Sequence, residues 1–261
     1  MTEVVIVDSG GANLASLRFA LERAGACAHV SADGSTIASA ERVILPGVGA
    51  AAYAMERLRS AGLTTVLRTL TQPVLGICLG MQLLFQRSEE SDQSSQQGDQ
   101  YSEESEPSPG KVEAAENVHW FDRSSQETKK YPSLAVWNAA SLKALPRVPR
   151  SDPLSATKCL GLLPATVRRL IPTRDLPIPH MGWNTLQDVC PDPLLEGVNE
   201  ADFVYFAHSY AAPVVAETLA TTAYGAALTA VVRRANFWGI QFHPERSSAN
   251  GERILKNFLR L

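Results

Sequence analysis

The chain has 261 residues, of which 45% are hydrophobic, and a formal net charge of −3. This suits one large domain, or one domain with an appendage, that buries a proper core. The near-neutral charge and the absence of long apolar runs argue against a nucleic-acid or membrane-binding protein. The four cysteines, Cys27, Cys78, Cys159 and Cys190, have no CxxC spacing. We therefore expect a reduced, cytoplasmic protein without disulfides or a zinc site.

Apolar strands alternate with amphipathic helices in the first part of the chain. The predicted strands cover 4–8 and 73–77, and residues 42–49 are predicted as a strand that runs into a glycine loop. The predicted helices cover 12–25, 51–62 and 79–86. Continuous apolar strands separated by helices are typical of a parallel sheet covered on both faces. We therefore expect an α/β fold with a mostly parallel sheet flanked by helices.

A polar segment interrupts this pattern. Residues 86–111 contain seven Ser, five Gln, seven acidic and two basic residues, and Tyr101 is their only large apolar side chain. Such a composition cannot offset the entropy of ordering, so we expect residues 89–111 to be disordered. Residues 112–158 contain aromatic side chains without sustained periodicity, and the sequence predicts no fold for them. The expected domain therefore comprises residues 1–88 and 160–261, with an insertion at 89–159.

Short strands dominate the remainder of the chain. After an ordered start at 160–170, predicted strands cover 179–186, 202–210, 217–224, 227–234 and 237–245, and an amphipathic helix covers 247–261. Strands at this spacing, with turn residues between them, favour an antiparallel extension of the sheet.

A cysteine between two glycines lies where a predicted strand meets a predicted helix, in Gly76-Ile77-Cys78-Leu79-Gly80. This pattern is typical of a nucleophile elbow, a sharp turn that raises a nucleophile at the carboxyl edge of the sheet. Side chains in place of the glycines would collide with neighbouring backbone. The helix N-terminus favours a thiolate. The pattern alone fits a buried structural cysteine equally well.

The best candidate for a base is His243, in a His-Pro-Glu tripeptide at the end of a predicted strand. Pro244 favours an extended backbone at His243. In an extended chain, residues i and i+2 share a side, so Glu245 can orient the imidazole. The tripeptide alone is more typical of a surface turn. Combined with the elbow, it predicts a triad of Cys78, His243 and Glu245.

The pairing of "GICLGMQ" with "HPE" resembles the class I (triad) glutamine amidotransferases. Within them, the sequence is similar to the glutaminase subunits of imidazole glycerol phosphate synthase, an enzyme of histidine biosynthesis. The narrower resemblance is carried by "DSGGANL" (8–14), "LPGVGA" (45–50), "PHMGWN" (179–184), "FAHSY" (206–210) and "GIQFHPERS" (239–247). It covers about 1–88 and 160–261. The family has only a short connection where this chain has its insertion, so the role of the insertion stays open.

The resemblance implies hydrolysis of the glutamine side-chain amide through a thioester on Cys78, without a cofactor or metal. The oxyanion then needs preorganised donors. The candidates are the Leu79 N–H and the glycine loop at Val48 and Gly49. Since a helix over 79–86 would carry the chain roughly 12 Å from the sulfur, we expect the insertion to leave away from the catalytic edge.

Three further residues match positions that hold the substrate glutamine in the family: Gln82, Ser209 and Tyr210. Each has an ordinary alternative role. Gln82 lies one turn beyond Cys78 and fits a solvent-facing helix position, and Tyr210 fits a strand aromatic. The resemblance therefore carries these assignments.

The resemblance also implies a partner, a (β/α)8-barrel cyclase subunit that forms a heterodimer with the glutaminase and receives ammonia through a channel. Ammonia released into neutral water would mostly be protonated and lost as a nucleophile. Asn13, Met181, Trp183 and Arg246 match interface positions. Because Met181 and Trp183 lie two apart on a predicted strand, both can face a partner. Core packing is the alternative for Trp183.

Two other functions stay open. A protein of the same fold could supply ammonia to a synthase of anthranilate, GMP or pyridoxal phosphate, although "PHMGWN" argues against this. A glutamine-binding regulatory module without catalysis is a second alternative, against which the intact triad argues. We expect His180 and His208 to be hydrogen-bonded structural histidines, because no His, Cys or acidic residues show metal-site spacing.

Overall fold

The structure, a computed structural model, describes residues 2–9, 14–90 and 156–261, which all belong to one compact unit. Asn13, residues 91–111 of the predicted disordered segment, and the aromatic stretch up to residue 155 lie outside the described residues. Among the helices of the described ranges, none has both the length and the apolar character needed to cross a membrane.

The described ranges contain thirteen strands, six α-helices and two short 3-10 helices, Pro193–Leu195 and Pro244–Arg246. The strands are β1 (Thr2–Val7), β2 (Ala26–Ser31), β3 (Arg42–Leu45), β4 (Val74–Ile77), β5 (Phe85–Ser88), β6 (Thr157–Lys158), β7 (Leu163–Arg169), β8 (His180–Thr185), β9 (Phe203–His208), β10 (Tyr210–Ala211), β11 (Thr218–Ala223), β12 (Ala227–Arg234) and β13 (Phe237–Ile240). The helices are α1 (Leu14–Ala24), α2 (Gly34–Ser39), α3 (Ala51–Ser60), α4 (Leu63–Thr69), α5 (Leu79–Leu83) and α6 (Ser248–Phe258).

The main sheet confirms the predicted fold class. Within the described residues it has seven strands in the order β11-β12-β13-β4-β3-β1-β2. The five strands from β13 to β2 are parallel, and β12 and β11 add an antiparallel edge. Residues Val4–Val7 of β1 have no exposed surface, because the parallel part is covered on both faces.

The other predicted strands do not all extend this sheet, and in that respect the prediction was wrong. Strands β10, β7, β5 and β6 form a second sheet, and β8 pairs with β9 in an antiparallel ribbon. The predicted helix 79–86 is also too long, since α5 ends at Leu83 and Phe85 begins β5. Leu83, Leu84 and Phe85 are all fully buried, so the run has no exposed face whose period could separate helix from strand.

The parallel pairing of β4 with β13 places the site. Ile77 lies opposite Ile240, so the residues that follow each strand emerge side by side at the carboxyl edge of the sheet. Cys78 and Gln241 are these residues, and His243 follows two positions later. Carboxyl edges of parallel strands are the usual place for ligands in open α/β sheets.

Candidate active site

Cys78 occupies a sharp turn between β4 and α5, with φ 52° and ψ −110°. A positive φ is strained for a residue with a side chain. The backbone holds the turn from both sides. The Cys78 N–H donates to the Ile240 carbonyl at 2.8 Å, and the Cys78 carbonyl accepts from the Gln82 N–H at 3.1 Å.

The flanking glycines are required by close backbone contacts. A Cβ at Gly76 would lie 2.7 Å from the carbonyl oxygen of Gly80, and a Cβ at Gly80 would overlap the Leu45 carbonyl at the end of β3. This confirms the reason predicted from the G-x-C-x-G pattern. The turn is tight because β3, β4 and α5 meet there without room for side chains.

His243 and Glu245 form the predicted hydrogen bond, with 2.9 Å between His243 Nδ1 and Glu245 Oε1. His243 has an extended backbone, as predicted, with φ −98° and ψ 104°. Glu245 does not continue that extended chain, because Pro244–Arg246 form a 3-10 turn. The carboxylate therefore reaches the imidazole from a turn, which corrects the geometric argument made from sequence.

Cys78 and Glu245 hold a proton on His243. Burial alone would lower the pKa of the imidazole, but hydrogen bonds to the Cys78 and Glu245 side chains, together with their negative charges, raise the pKa of His243 to about 10. The structure thus brings the three predicted triad residues into one interacting group. A protonated imidazole beside the sulfur can stabilise a thiolate and later give its proton to a leaving group.

In this structure the glycine loop occupies one of the two candidate oxyanion donors, the Leu79 N–H. The Leu79 N–H donates to the Gly47 carbonyl at 3.3 Å. In a trans peptide the C=O and N–H point in opposite directions, so the Val48 N–H of the same peptide points away from Leu79. Val48 is 40% exposed, and Gly49 has a φ of 89° with open space around it. Turning this peptide over changes ψ of Gly47 and φ of Val48, and Gly47 has no side chain to restrict its backbone.

Of the three residues predicted to hold glutamine, Gln82 and Tyr210 are joined by a hydrogen bond, and Ser209 precedes Tyr210 in the chain. Gln82 is buried, so the solvent-facing alternative is wrong. Its Nε2 donates to the Tyr210 carbonyl at 2.7 Å and to Gln241 Oε1 at 3.0 Å, which uses both hydrogens of that nitrogen. The side-chain oxygen of Gln82, Oε1, can then accept a hydrogen bond from a ligand. The Ser209 side chain is half-buried, while its carbonyl accepts from Leu170 N at 2.8 Å.

Three of the four predicted partner residues, Met181, Trp183 and Arg246, are exposed on or next to the β8–β9 ribbon, and Asn13 lies outside the described residues. Met181 and Trp183 are 62% and 51% exposed, so the core-packing alternative for Trp183 is wrong. The Trp183 ring stands edge-on to Tyr205, 5.9 Å between centroids, and the Arg246 guanidinium lies 4.5 Å above the Tyr205 ring. We call Met181, Trp183, Tyr205 and Arg246 the β8 ridge. The backbone of Tyr205 accepts from the His243 N–H at 2.9 Å, so the ridge adjoins the triad.

His180 and His208 are buried and hydrogen-bonded, as predicted. His180 Nδ1 lies 3.0 Å from His208 Nε2, and His208 Nδ1 lies 2.9 Å from the Tyr210 carbonyl. Burial lowers the pKa of His180 to about 4, and burial together with the nearby His180 lowers the pKa of His208 to about 3. Both rings are therefore neutral near pH 7. Within the described ranges, no group of three His, Cys, Asp or Glu side chains is placed to hold a metal ion.

Three residues near the site were not predicted from the sequence. Gln241 contacts the sulfur, with 3.6 Å from Nε2 to Cys78 Sγ, and its position two residues before His243 is the signal that could have revealed it. Ser9 Oγ donates to the Pro46 carbonyl at 2.9 Å, just before the glycine loop. Glu90 Oε2 accepts from the backbone N–H of Ala51 at 2.8 Å, just after that loop. Burial raises the pKa of Glu90.

Comparison with known proteins identifies the family of this chain. A family model described as "Glutamine amidotransferase class-I" matches residues 5–261. The chain is 41% identical over 261 residues to "Imidazole glycerol phosphate synthase subunit HisH" of Xanthomonas euvesicatoria pv. vesicatoria (strain 85-10), covering 100% of this chain and 98% of that protein. It is 38% identical to the protein of the same name from Colwellia psychrerythraea (strain 34H / ATCC BAA-681), covering 98% of this chain and 92% of the relative.

Solved structures share the fold. A crystal structure described as a glutamine amidotransferase has a TM-score of 0.58 at 17% identity, covering 98% of this chain and 97% of that one. The PurLQS structure from Thermotoga maritima has a TM-score of 0.56 at 14% identity, covering 99% and 98% of the two chains. The match to the family model, together with full-length relatives at about 40% identity, shows that this chain belongs to the class-I glutamine amidotransferases.

Proposed function

We propose that the chain is the glutaminase subunit of imidazole glycerol phosphate synthase, which hydrolyses glutamine to glutamate and ammonia for histidine biosynthesis. The observation that carries this function is the strained cysteine whose sulfur interacts with a protonated His243 held by Glu245. The relatives that bear the synthase subunit's name support the choice of synthase. The similarity to the Xanthomonas relative extends over all 261 residues.

In the proposed reaction, the Cys78 sulfur attacks the side-chain amide carbon of glutamine. The carbon–nitrogen bond breaks as His243 gives its proton to the departing nitrogen, so that ammonia leaves and a thioester remains. His243 then removes a proton from water, whose oxygen attacks the thioester carbon. The carbon–sulfur bond breaks, glutamate leaves and the thiolate is restored.

The oxyanion formed in each attack needs two backbone donors. The Leu79 N–H at the start of α5 is one of them, and the Val48 N–H is the other. In this structure the Gly47 carbonyl accepts from Leu79, so turning over the Gly47–Val48 peptide would release the first donor and present the second. That movement changes ψ of Gly47, which has no side chain, and φ of Val48, whose side chain is 40% exposed.

The proposed partner is a (β/α)8-barrel cyclase that docks on the β8 ridge and receives the ammonia. Large exposed aromatic and sulfur-containing side chains are typical anchors of protein interfaces. The ridge lies against the backbone that positions His243, so a docked partner would sit beside the place where ammonia is released. The free thiols of all four cysteines support a reducing, cytoplasmic setting.

Replacing Cys78 with Ala tests the function. The complex with the cyclase should lose glutamine-dependent product formation and still make product from added ammonium, since the cyclase chemistry belongs to the partner. Glutamate release and product formation are measured in parallel. Glutamate release by Cys78→Ala near the rate of the unmodified complex would sink the proposal.

A further inference from the structure

Two buried side-chain amides connect the backbone of β10 with the sulfur of Cys78. Gln82 Nε2 donates to the Tyr210 carbonyl at 2.7 Å and to Gln241 Oε1 at 3.0 Å. Gln241 Nε2 then lies 3.6 Å from Cys78 Sγ. The exposed fractions of Gln82 and Gln241 are 4% and 0%, so water does not compete for these bonds.

The orientation of both amides follows from the Tyr210 carbonyl. A carbonyl only accepts, so the nitrogen of Gln82 must face it. The second hydrogen of that nitrogen points to Gln241, which therefore presents its oxygen to Gln82. The nitrogen of Gln241 is left facing the sulfur, as a donor. Exchanging the two atoms of Gln241 would set one NH₂ group against another.

The backbone fixes Gln241 where this contact can form. Its N–H donates to the Ala230 carbonyl at 2.9 Å, and it directly follows the residue of β13 paired with Ile77. His243 also interacts with the sulfur. Glu245 and His208 are the charged or titratable groups that act on His243 in turn. Gln241 differs from all of these groups because it carries no charge and donates at every pH.

We propose that Gln241 is a positioning residue for the nucleophile: its amide donates to the Cys78 sulfur and stabilises the thiolate, and Gln82 keeps that amide in the donating orientation. The role rests on the proposed glutaminase function. Hydrogen bonds to a charged acceptor are stronger than those to a neutral one, so the contact favours the thiolate over the thiol. Gln82 thereby acts on the sulfur as well as being a candidate for holding glutamine.

Alkylation by iodoacetamide measures the thiolate without glutamine. The parent for the test carries Cys27→Ser and Cys190→Ser, because both of these cysteines are exposed. Burial raises the pKa of Cys159 to about 12, so that thiol scarcely reacts near neutral pH. The adduct on Cys78 is quantified by peptide mass spectrometry from pH 6 to 9. We expect Gln241→Met, which lacks a donor, and Gln241→Glu, which offers only oxygens, to be alkylated about tenfold more slowly at pH 7.

Asn257→Leu is the matched control. Asn257 is another buried amide, whose Nδ2 donates to the Leu194 carbonyl at 3.0 Å and the Glu196 carbonyl at 2.8 Å, on α6 away from the sulfur. It should lower the melting temperature as the Gln241 variants do and leave alkylation of Cys78 unchanged. Alkylation of both Gln241 variants within twofold of the parent would overturn the proposal.

If the Gln241 variants do not fold, Gln82→Met tests the role of Gln241 instead. Loss of the Gln82 amide frees Gln241 to turn over, and we expect alkylation to slow about threefold, whereas an unchanged rate counts against the proposal. Glutamate release by the parent with its partner is measured alongside. Absence of that release would refute the glutaminase function, while intact release with unaltered alkylation in the variants would refute only the role of Gln241.

Discussion

The backbone at Cys78 is held in a strained conformation that the surrounding strands stabilise. A positive φ of 52° at a residue with a side chain costs on the order of 1–3 kcal/mol. The hydrogen bond from Cys78 N–H to Ile240 and the tight packing of Gly76 on Gly80 offset this cost. This conformation brings the buried sulfur next to His243 and Gln241, where the chemistry needs it.

The protonation of His243 leads to a pH prediction. Its pKa is raised from 6.5 to about 10 in the folded protein, so the fold binds this proton more tightly than the unfolded chain does. The resulting stabilisation is fully present below about pH 6.5 and is lost as the pH rises through about 10. We expect the free energy of unfolding to fall over this window, and to fall less in Glu245→Gln, which removes one of the charges that raise the pKa.

Urea unfolding between pH 6 and 10 gives the free energy of unfolding of the unmodified protein and of Glu245→Gln. The difference between them cancels the contribution of the other titrating groups. NMR of the His243 ring reports the pKa directly. A ring that titrates near its ordinary pKa of 6.5 in the unmodified protein would contradict the proposed arrangement of charges.

Sequence patterns predicted those secondary-structure elements that have one clear period. Strands β1, β3, β4, β11 and β12 and helix α6 were predicted from apolar runs and amphipathic spacing, as were the two glycines around Cys78. Helix α5 could not be bounded, because its buried leucines continue into β5 without a change of period. The ribbon β8–β9 was predicted as strands but not as a separate sheet, since pairing partners depend on tertiary contacts.

Hydrogen bonds between residues far apart in the chain were the hardest feature of the site to predict. The triad was predicted because its motifs are local. The bond from Gln82 to Tyr210 spans 128 residues, and that from Gln82 to Gln241 spans 159, so no local pattern marks either. Glu90 was not predicted because it lies in an acidic run typical of disorder, although its carboxylate accepts a hydrogen bond from the Ala51 N–H.

The β8 ridge is the element through which we expect the partner to bind. Trp183→Ala should raise the dissociation constant for the cyclase at least tenfold, because truncating a central aromatic anchor commonly costs about 2 kcal/mol or more. Met181→Ala should act in the same direction. Both side chains are more than half exposed, so the melting temperature of the free chain should hardly change.

Ile171→Ala is the matched control for the ridge. Ile171 is 51% exposed, as Trp183 is, but lies between β7 and β8, outside the ridge. Isothermal titration calorimetry should give a dissociation constant within about twofold of the unmodified chain. Equal losses in Ile171→Ala and Trp183→Ala would mean that the ridge is not the docking site.

At the scale of the whole molecule, glutamine hydrolysis should depend on the partner. The Gly47 carbonyl occupies the Leu79 N–H in this structure, and an active site short of one oxyanion donor loses roughly 10² to 10³ in rate. We therefore expect slow glutamate release by the isolated chain and a rise of that order when the ligand-bound cyclase docks. Equal rates for the free and docked chain would exclude the turning of the Gly47–Val48 peptide as the means of control.

The insertion begins closer to the catalytic edge than the sequence predicted. Because α5 is short and β5 turns back, Glu90 reaches the N–H of Ala51, directly after the glycine loop. Glu89 N–H donates to the Val167 carbonyl at 2.9 Å, and Thr157 Oγ1 donates to the Glu90 carbonyl at 2.7 Å. The first two residues of the expected insertion therefore belong to the packed domain, and the start of the insertion lies beside the glycine loop, which carries the proposed Val48 donor.

Two deletions that differ only at these residues test this arrangement. Removal of 91–111 leaves Glu89 and Glu90 in place and changes loop length, whose closure entropy varies slowly, so the free energy of unfolding should change by less than about 1 kcal/mol. Removal of 89–111 also takes away the five hydrogen bonds of Glu89 and Glu90 and the ion pair of Glu89 with Arg168. We expect a further loss of about 2–5 kcal/mol. Partner-activated glutamate release should fall only in the longer deletion, because only that deletion frees the end of the glycine loop.

Urea unfolding and glutamate release are measured for both deletions. Equal behaviour of the two deletions would show that Glu89 and Glu90 do not support the loop, and a large loss in the shorter one would show that residues 91–111 act on the catalytic domain.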